Sequence, residues 1–437
     1  MRKLEGRAVI CIMLALLLIA GLGLFIGKLV IHGDEWASFY GNTHVYKDGK
    51  MAVGSVYDRN GVLLLKNDEE GQHYHEDSIV RRATVHVVGD KDQNIVTGAT
   101  YAFKSDMVGY NLITGTKGIL FGSGRSMALT IDAQVSKVAY QALGNRNGLV
   151  GVYNWKTGEI ICAVSKPGLD PEVSSGNAET GTYINKVISS KAIPGSTFKL
   201  VTAAAAIEKI DDIKTRKFKC TGKYNIDGEY VTCQSVHGTM DFYGALANSC
   251  NCAFAEMTLE MGKGTMKSKV KELGLTSSYD INGIKSQKGS FDFDTAKITL
   301  GWSGIGQGND QVNPLSMMVF MGAIAGEGTA AEPNILMDSK VKTTTLLDGE
   351  VAKQLKEMMR NNVLRTYGES NYPGLNLHAK SGTAEGAKGE ATNAWFCGFS
   401  GDYAFIVCVE KGGYGSQTAG PVANKVLQAL PKESEDN

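Results

Sequence analysis

The sequence has no excess of charge of either sign and few of the residue patterns that bind metals. Its 45 basic and 45 acidic residues cancel, and no basic run is long enough to follow a nucleic-acid backbone, so nucleic acid is not an expected partner. Cys-x-x-Cys pairs and His-x-x-x-His spacings are also missing, so the sequence gives no support for a metal site, and no cofactor is expected. Glycine is abundant instead: 53 of the 437 residues indicate many turns and strands.

Long uncharged runs are confined to the N-terminus. Residues 8–27 carry no charge and would span about 30 Å as a helix, the thickness of a bilayer core. Arg2, Lys3 and Arg7 precede the run, so the positive-inside rule predicts a cytoplasmic stub at 1–7, a transmembrane anchor at 8–30 and an exported remainder. A cleaved signal peptide is the alternative; it fits less well because the run is long and no clean Ala-x-Ala site follows Gly27.

The exported part divides at about residue 126. Residues 31–125 predict a short β-rich stalk, with a hairpin turn at Asn60-Gly61 and a strand at 83–88. Residues 126–431 predict one domain, followed by a polar tail at 432–437. Its expected elements are a helix at 133–144, strands at 149–153 and 159–164, helices and loops from 183 to 372, strands at 377–383, 394–399 and 403–409, and a helix at 419–430. This order predicts an α/β fold of the α+β type, in which an antiparallel five-stranded sheet has helices on both faces.

Three short motifs carry the chemistry. They are Ser196-Thr-Phe-Lys199, Ser249-Cys-Asn251 and Lys380-Ser-Gly382. Each is weak alone, since Ser-x-x-Lys recurs at 268–271 and 339–342 without an apolar setting. Ser196 is different because an Ala-rich helix follows it, which places the hydroxyl at a helix N-terminus and Lys199 one turn later on the same face. That spacing suits a nucleophile and its base, and apolar neighbours would favour a neutral Lys199.

In this order the motifs are the signature of penicillin-binding proteins and β-lactamases, and the chain resembles the class B, monofunctional transpeptidases. Other matching segments support the resemblance: Asp58–Gly61, Leu129–Asp132, His237-Gly238, Gly304–Gly308 and Ala394–Phe396. Ser381 stands where many members have threonine, but both residues carry a hydroxyl. The stalk is short for class B and leaves no room for a glycosyltransferase domain.

The resemblance implies two acyl transfers. Ser196 would attack the carbonyl between the two terminal D-alanines of a peptidoglycan stem peptide, with Lys199 as its base. Ser249 would relay the proton, Asn251 would hold the substrate amide, and Lys380, Ser381, Gly382 and Thr383 would bind the terminal carboxylate. The N–H groups of Ser196 and Thr383 would form the oxyanion hole. A base near pH 7 needs a lysine pKa lowered by about three units, to which burial and the charge of Lys380 would contribute.

The implied setting is the cell membrane. The protein would be single-pass, with a cytoplasmic N-terminus, an extracytoplasmic catalytic domain, β-lactams as covalent inhibitors and a polytopic peptidoglycan glycosyltransferase as partner. A D,D-carboxypeptidase or an anchored β-lactamase would share all three motifs. A β-lactam-sensing receptor would need a cytoplasmic effector, and a catalytically inactive scaffold would not need the intact motifs.

The remaining conspicuous residues have structural interpretations. In an oxidising compartment Cys220 and Cys233 are the best candidates for a disulfide, since they flank a hairpin-like stretch. Cys250, Cys252, Cys397 and Cys408 lie in apolar contexts and are expected to be small core residues. His237 is expected to be a structural loop residue, Gly304–Gly308 a tight loop, and Trp395 and Phe399 core residues.

Overall fold

The computed structural model describes residues 2–68, 70–112, 115–116, 124–173, 178–385 and 391–431. The predicted tail at 432–437 lies outside these ranges. The helices in them are α1 Arg2–Ala37, α2 Ser78–Val88, α3 Ala99–Ala102, α4 Lys104–Val108, α5 Ala133–Leu143, α6 Lys186–Ser189, α7 Lys199–Lys209, α8 Phe242–Ala247, α9 Asn251–Glu272, α10 Lys297–Ser303, α11 Pro314–Ala325, α12 Gly349–Asn362 and α13 Gly415–Gln428, with 3₁₀ turns at Gly195–Phe198 and Glu369–Asn371 and a π turn at Val363–Tyr367.

Most strands are short. They are β1 Tyr46–Lys47, β2 Lys50–Met51, β3 Ser55–Tyr57, β4 Leu63–Asp68, β5 Gly71–Tyr74, β6 Tyr110–Asn111, β7 Gly115–Thr116, β8 Ser126–Ala128, β9 Gly148–Asn154, β10 Ile160–Lys166, β11 Phe218–Cys220, β12 Lys223–Ile226, β13 Glu229–Thr232, β14 Gly238–Met240, β15 Asp280–Ile281, β16 Ile284–Lys285, β17 Thr329–Ala331, β18 Thr343–Thr345, β19 His378–Ala384, β20 Asn393–Ser400 and β21 Tyr403–Val409.

Helix α1 is long and apolar enough to cross a membrane, and the apolar window within it is not covered by the rest of the chain. Large side chains such as Leu17 and Leu18 are exposed along it. The helix runs past the predicted end of the anchor at residue 30 and continues to Ala37. Its last turns lie against the segment that follows, where the hydroxyls of Ser38 and Ser105 are 3.1 Å apart.

Strands β3, β4 and β5 of the segment at 31–125 form a four-stranded sheet with β8 of the following domain, in the order β5-β4-β3-β8. The described residues of the segment also include helices α2, α3 and α4. The strand predicted at 83–88 is wrong: these residues are the second half of α2. The side chain of Asp77 accepts the N–H of Ile79 and caps this helix. The buried positions of α2 are 80 and the whole run 83–88. A continuous buried run that includes several β-branched residues fits a strand as well as a buried helix, so the local pattern predicted the wrong element.

The centre of the molecule is a five-stranded antiparallel sheet in the order β10-β9-β21-β20-β19. The predicted hairpin at Lys156 joins β9 and β10, and the three late strands and the last helix begin and end within a few residues of their predicted bounds. The predicted fold class is therefore confirmed. Strand β19 lies at one edge, so the third motif has one side open to a ligand.

Alternate side chains of the sheet enter two separate cores. Trp395, Cys397 and Phe399 pack with the larger cluster, which includes the fully buried helix α11, whereas Phe396 packs with α5 and α13 on the other face. The alternation follows from the two-residue period of a strand. Trp395 and Phe399 are core residues, as predicted.

Candidate active site

Ser196 lies in a tight turn that leads into α7. The helix predicted from Ser196 begins as the 3₁₀ turn Gly195–Phe198 and becomes α-helical at Lys199. Gly195 has a φ of 56°, and a Cβ there would lie 2.5 Å from the carbonyl oxygen of Thr383. Glycine at this position therefore lets the serine turn approach the edge strand β19 directly.

Lys199 connects the first two motifs. Its Nζ lies 2.8 Å from Ser196 Oγ. It also donates to Asn251 Oδ1 at 2.7 Å, and to the carbonyl oxygen and Oγ of Ser249 at 2.8 and 3.1 Å. A single amine thus contacts the candidate nucleophile and both polar residues of the second motif.

The electrostatic setting of Lys199 favours the neutral amine. The residue is fully buried, and burial lowers the pKa of Lys199 from 10.5 to about 7. Within the described ranges no Asp or Glu side chain forms an ion pair with it. The predicted lowering of this pKa therefore has its cause in desolvation.

The second motif lies in the loop between α8 and α9. Ser249 has a φ of 51°, which is uncommon for a residue with a side chain. Asn251 begins α9, and its Nδ2 donates to the carbonyl oxygen of Thr232 at the end of β13. The amide is thereby oriented with its oxygen toward Lys199.

The third motif lies on β19. Lys380 is fully buried, and its Nζ donates to Ser249 Oγ at 3.1 Å and to the carbonyl oxygen of Ser381 at 2.8 Å. Gly382 passes against the serine turn, where a Cβ would lie 2.9 Å from the carbonyl oxygen of Pro194. Ser381 and Thr383 line the same cleft as Ser196.

The two lysines share Ser249 as a neighbour and affect each other. Burial lowers the pKa of Lys380 well below its usual range, and the charge of Lys199 lowers it further. The repulsion predicted between the lysines therefore acts on Lys380. Loss of the Lys199 proton removes this repulsion, whereas burial, the larger cause, continues to lower the pKa of Lys380.

Two residues of the site were not predicted from the sequence. The Tyr367 hydroxyl accepts the N–H of Ser381 at 2.8 Å and donates to Ser381 Oγ at 3.0 Å. Gln307 donates to the carbonyl oxygen of Thr383 at 3.1 Å. Gln307 belongs to the loop predicted at 304–308, and the loop itself is as expected, with Gly306 at a φ of 74°. Neither residue has a local signal, because each acts on β19 from a distant part of the chain.

The candidate pair Cys220 and Cys233 is not joined by a disulfide in the structure, where all eight cysteines are free thiols. Cys250, expected to be an ordinary core residue, has its Sγ 3.7 Å from that of Cys233. Cys220, Cys233, Cys250 and His237 offer ligand atoms that all lie within 4.8 Å of one another. The sequence spacing gives no support for a metal site, so this group of candidate ligands is visible only in the structure. Spacing along the chain did not indicate this cluster because three separate stretches of sequence form it: the end of β11, the loop between β13 and β14, and the residue before α9.

The motifs enclose a cleft of about 550 Å³. Its lining includes Ser196, Ser249, Asn251, Ser381 and Thr383. The candidate nucleophile and several other hydroxyls therefore face one volume, and the buried amine of Lys199 contacts that nucleophile at 2.8 Å. A serine activated by a buried lysine, next to the edge of a five-stranded sheet, defines a serine acyltransferase that works without histidine.

Sequence comparison assigns the family. The penicillin binding protein transpeptidase domain matches residues 148–428, which is more than half of the chain. The chain belongs to this family, as predicted.

Individual relatives agree with the assignment. Peptidoglycan D,D-transpeptidase PbpA of Mycolicibacterium smegmatis is 25% identical over 360 residues, covering 71% of this chain and 73% of the relative. Stage V sporulation protein D of Bacillus subtilis is 25% identical over 292 residues, covering 61% of this chain and 45% of the relative.

Solved structures share the fold. The ceftriaxone acyl-enzyme complex of penicillin-binding protein A from M. tuberculosis has a TM-score of 0.75 at 21% identity, covering 87% of this chain and 98% of that one. Pseudomonas aeruginosa PBP2 has a TM-score of 0.72 at 20% identity, covering 88% and 97%.

Proposed function

We propose that this chain is a membrane-anchored class B penicillin-binding protein that cross-links peptidoglycan stem peptides through an acyl-enzyme on Ser196. The observation that carries the proposal is the contact of 2.8 Å between Ser196 Oγ and Lys199 Nζ, an amine whose pKa burial lowers to about 7. An amine of that pKa is unprotonated often enough at neutral pH to accept the serine proton.

Acylation requires a base and a route for the proton. Ser196 Oγ forms a bond to the carbonyl carbon between the two D-alanines while its proton passes to Lys199. The carbon–nitrogen bond then breaks, and the leaving D-alanine amine needs a proton. Ser249 Oγ is within 3.1 Å of both Lys199 and Lys380, so it is suited to relay that proton. An amine from a second stem then attacks the ester, and Ser196 recovers its hydroxyl.

Substrate binding follows from the edge of the sheet. An extended stem peptide can pair with β19 by β-augmentation. Lys380, Ser381 and Thr383 would receive the terminal carboxylate, with Gly382 allowing the strand to lie close to the serine turn. The N–H groups of Ser196 and Thr383 would stabilise the oxyanion, at about 3 kcal/mol for each donor.

The long apolar helix supports the proposed topology. We assign residues 1–7 to a cytoplasmic stub, 8–30 to the membrane anchor, 31–125 to the stalk and 126–431 to the extracytoplasmic transpeptidase domain. The uncovered apolar face of α1 is available to lipid and to a polytopic glycosyltransferase. Co-purification from membranes tests the partner: loss of the complex when residues 1–30 are replaced by an unrelated anchor is expected, and failure of the intact chain to bring down any glycosyltransferase would contradict it.

Covalent labelling by a fluorescent penicillin tests the nucleophile. The full chain in detergent should take one label, and Ser196→Ala should take none. Ser268→Ala is the matched control, because Ser268 heads a second Ser-x-x-Lys sequence on the exposed side of α9 and hydrogen-bonds Glu272; it should label normally. Labelling of Ser196→Ala at the wild-type rate would overturn the assignment.

Product analysis separates cross-linking from hydrolysis. With a stem-peptide donor and an amine acceptor, mass spectrometry should detect the cross-linked dimer and released D-alanine. A trimmed monomer alone would identify a D,D-carboxypeptidase. Rapid loss of the penicillin label would identify a β-lactamase.

A further inference from the structure

From the cluster of three cysteines and one histidine we infer that the protein binds a zinc ion through Cys220, Cys233, Cys250 and His237, and that this ion holds the second motif in place. The part that concerns the motif rests on the proposed function. Cys220 is the last residue of β11, Cys233 and His237 lie in the loop between β13 and β14, and Cys250 immediately precedes α9. Their ligand atoms lie within 4.8 Å of one another.

The geometry suits a tetrahedral zinc site. Structural zinc sites commonly use three cysteines and one histidine, with Zn–S bonds of about 2.3 Å, so two sulfurs of one tetrahedron lie about 3.8 Å apart. The Sγ atoms of Cys233 and Cys250 are 3.7 Å apart. That separation is far longer than the bond of about 2.05 Å in a disulfide.

The histidine is oriented by a second partner. One ring nitrogen of His237, Nε2, lies 3.1 Å from Ser235 Oγ. The other, Nδ1, is buried and has no hydrogen-bond partner in the described part of the chain. A buried ring nitrogen without a partner is costly unless it binds something, and a metal-bound histidine usually has its other nitrogen held by a hydrogen bond.

Backbone N–H groups favour thiolates at this point. Cys233 Sγ accepts the N–H of Asn251 at 3.0 Å and of Cys252 at 3.4 Å. Cys250 Sγ accepts the N–H of Ala253 and caps α9. Free N–H groups at a helix N-terminus stabilise thiolates, which are the form that binds zinc.

These contacts connect the cluster to catalysis. Cys250 is the middle residue of the second motif, and Asn251, bound to Cys233 through its N–H, holds Lys199 through its side chain. Ser249, next to Cys250, keeps an uncommon positive φ. Because the loop is strained, it needs support from its surroundings, and a zinc ion joining Cys250 to Cys220 and Cys233 would supply it.

Metal content of the full chain, purified in detergent without chelators, tests the site. Roughly one zinc per chain is expected for the wild type, and Ser196→Ala should contain the same amount. Cys233→Ser and Cys220→Ala should lose zinc. Cys162→Ala is the matched control, since Cys162 is a buried thiol on β10 outside the cluster, and should keep it. Replacement by Co²⁺ in the wild type should give the visible absorption of a tetrahedral thiolate site, which does not depend on whether the variants fold.

The second measurement concerns the motif. Removal of zinc by a chelator should slow penicillin acylation by about 10- to 100-fold, because small misplacements of positioning groups cost that much, and added Zn²⁺ should restore the rate. Three results would each overturn the site. Wild-type protein from cells grown with added zinc could contain no zinc, Cys233→Ser could retain zinc, or mass spectrometry could find a Cys233–Cys250 disulfide. An unchanged acylation rate after zinc removal would overturn the link to the motif. Stoichiometric zinc in a chain that never acylates would refute the proposed function and leave the metal site standing.

Discussion

Lys199 and Lys269 are both hidden from solvent, with exposures of 0% and 3%, but they have opposite electrical surroundings. Lys269, on α9, forms ion pairs with Glu208 at 2.6 Å and Glu272 at 2.7 Å. Lys199, on α7, faces only the hydroxyl, carbonyl and amide oxygens of Ser196, Ser249 and Asn251 among its hydrogen-bond partners.

The difference shows how one residue type serves two purposes. A buried ammonium paired with carboxylates keeps its charge and joins two helices, since the anions offset part of its desolvation. A buried amine without an anion gives up its proton near neutral pH. Burial therefore creates a base only where the fold withholds the counter-charge, and the four neutral oxygens around Lys199 still orient the amine.

Replacing each of the two lysines by methionine should give its largest difference in the rate of acylation. Lys199→Met keeps most of the side-chain volume but removes the base, so acylation by penicillin should slow by about 10³-fold, within the range for general bases. Lys269→Met should acylate within about twofold of wild type, because its amine bonds Glu208 and Glu272 rather than the residues of the three motifs. Rates are measured by stopped labelling reactions on folded protein. If both variants acylated more slowly by a similar factor, the effect would come from disruption of the domain and not from loss of the base.

The pH dependence of acylation should sharpen the same point. Because the pKa of Lys199 is about 7, the unprotonated base increases as pH rises from 5.5 to 8. The second-order rate of penicillin labelling should rise roughly tenfold per pH unit below the midpoint and level off above it. Lys269→Met should give the same curve. A midpoint above pH 9 would show that Lys199 remains charged in the folded protein.

Stability should respond in the opposite sense to activity. Lys269→Met leaves Glu208 and Glu272 without their cation, so the free energy of unfolding should fall by about 1–2 kcal/mol, since both carboxylates retain some solvent. Lys199→Met removes an amine that is costly to bury, so the free energy of unfolding at pH 7 should stay level or rise.

A pH series separates the two effects. The pKa of Lys199 is about 7 in the folded chain and 10.5 without burial, so the unfolded chain binds more protons between these values. Stability at this site therefore rises with pH across that window, and the full cost of burial is present below pH 7. From pH 7 to 9 the wild type should gain about 2 kcal/mol relative to Lys199→Met, as measured by denaturant unfolding. A flat difference would contradict the lowered pKa.

The sequence predicts the motif residues and the central strands better than it predicts the residues that position the motifs. The strands around Lys156 and the three late strands were predictable because each has a continuous apolar pattern, and Ser196 and Lys199 because a helix fixes their spacing. Helix α2 was not predicted because its second half is a continuous buried run with several β-branched residues, a pattern that also fits a strand.

The residues that position the motifs do so through contacts between distant parts of the chain. Tyr367 reaches Ser381 from a π turn, and Cys220 and Cys250 approach Cys233 from separate elements. No local pattern records such contacts. Among the described residues no carboxylate forms an ion pair with Lys199, and this too is a property of packing, since the chain as a whole carries as many acidic as basic residues.

Tyr367→Phe should change the acylation rate least among these variants. It tests whether residues beyond Lys199 help to position the site. The Tyr367 hydroxyl bonds both the N–H and the Oγ of Ser381, so its loss should free the Ser381 hydroxyl to rotate at the carboxylate end of the cleft. One net hydrogen bond is worth about 1 kcal/mol, so acylation should slow about fivefold, with the change in the apparent affinity for penicillin. Tyr372→Phe is the matched control because its ring also packs on Phe396, and it should leave the rate unchanged. Equal losses in both variants would assign the effect to aromatic packing, whereas a loss confined to Tyr367→Phe would extend the positioning network from the two lysines to the far side of β19.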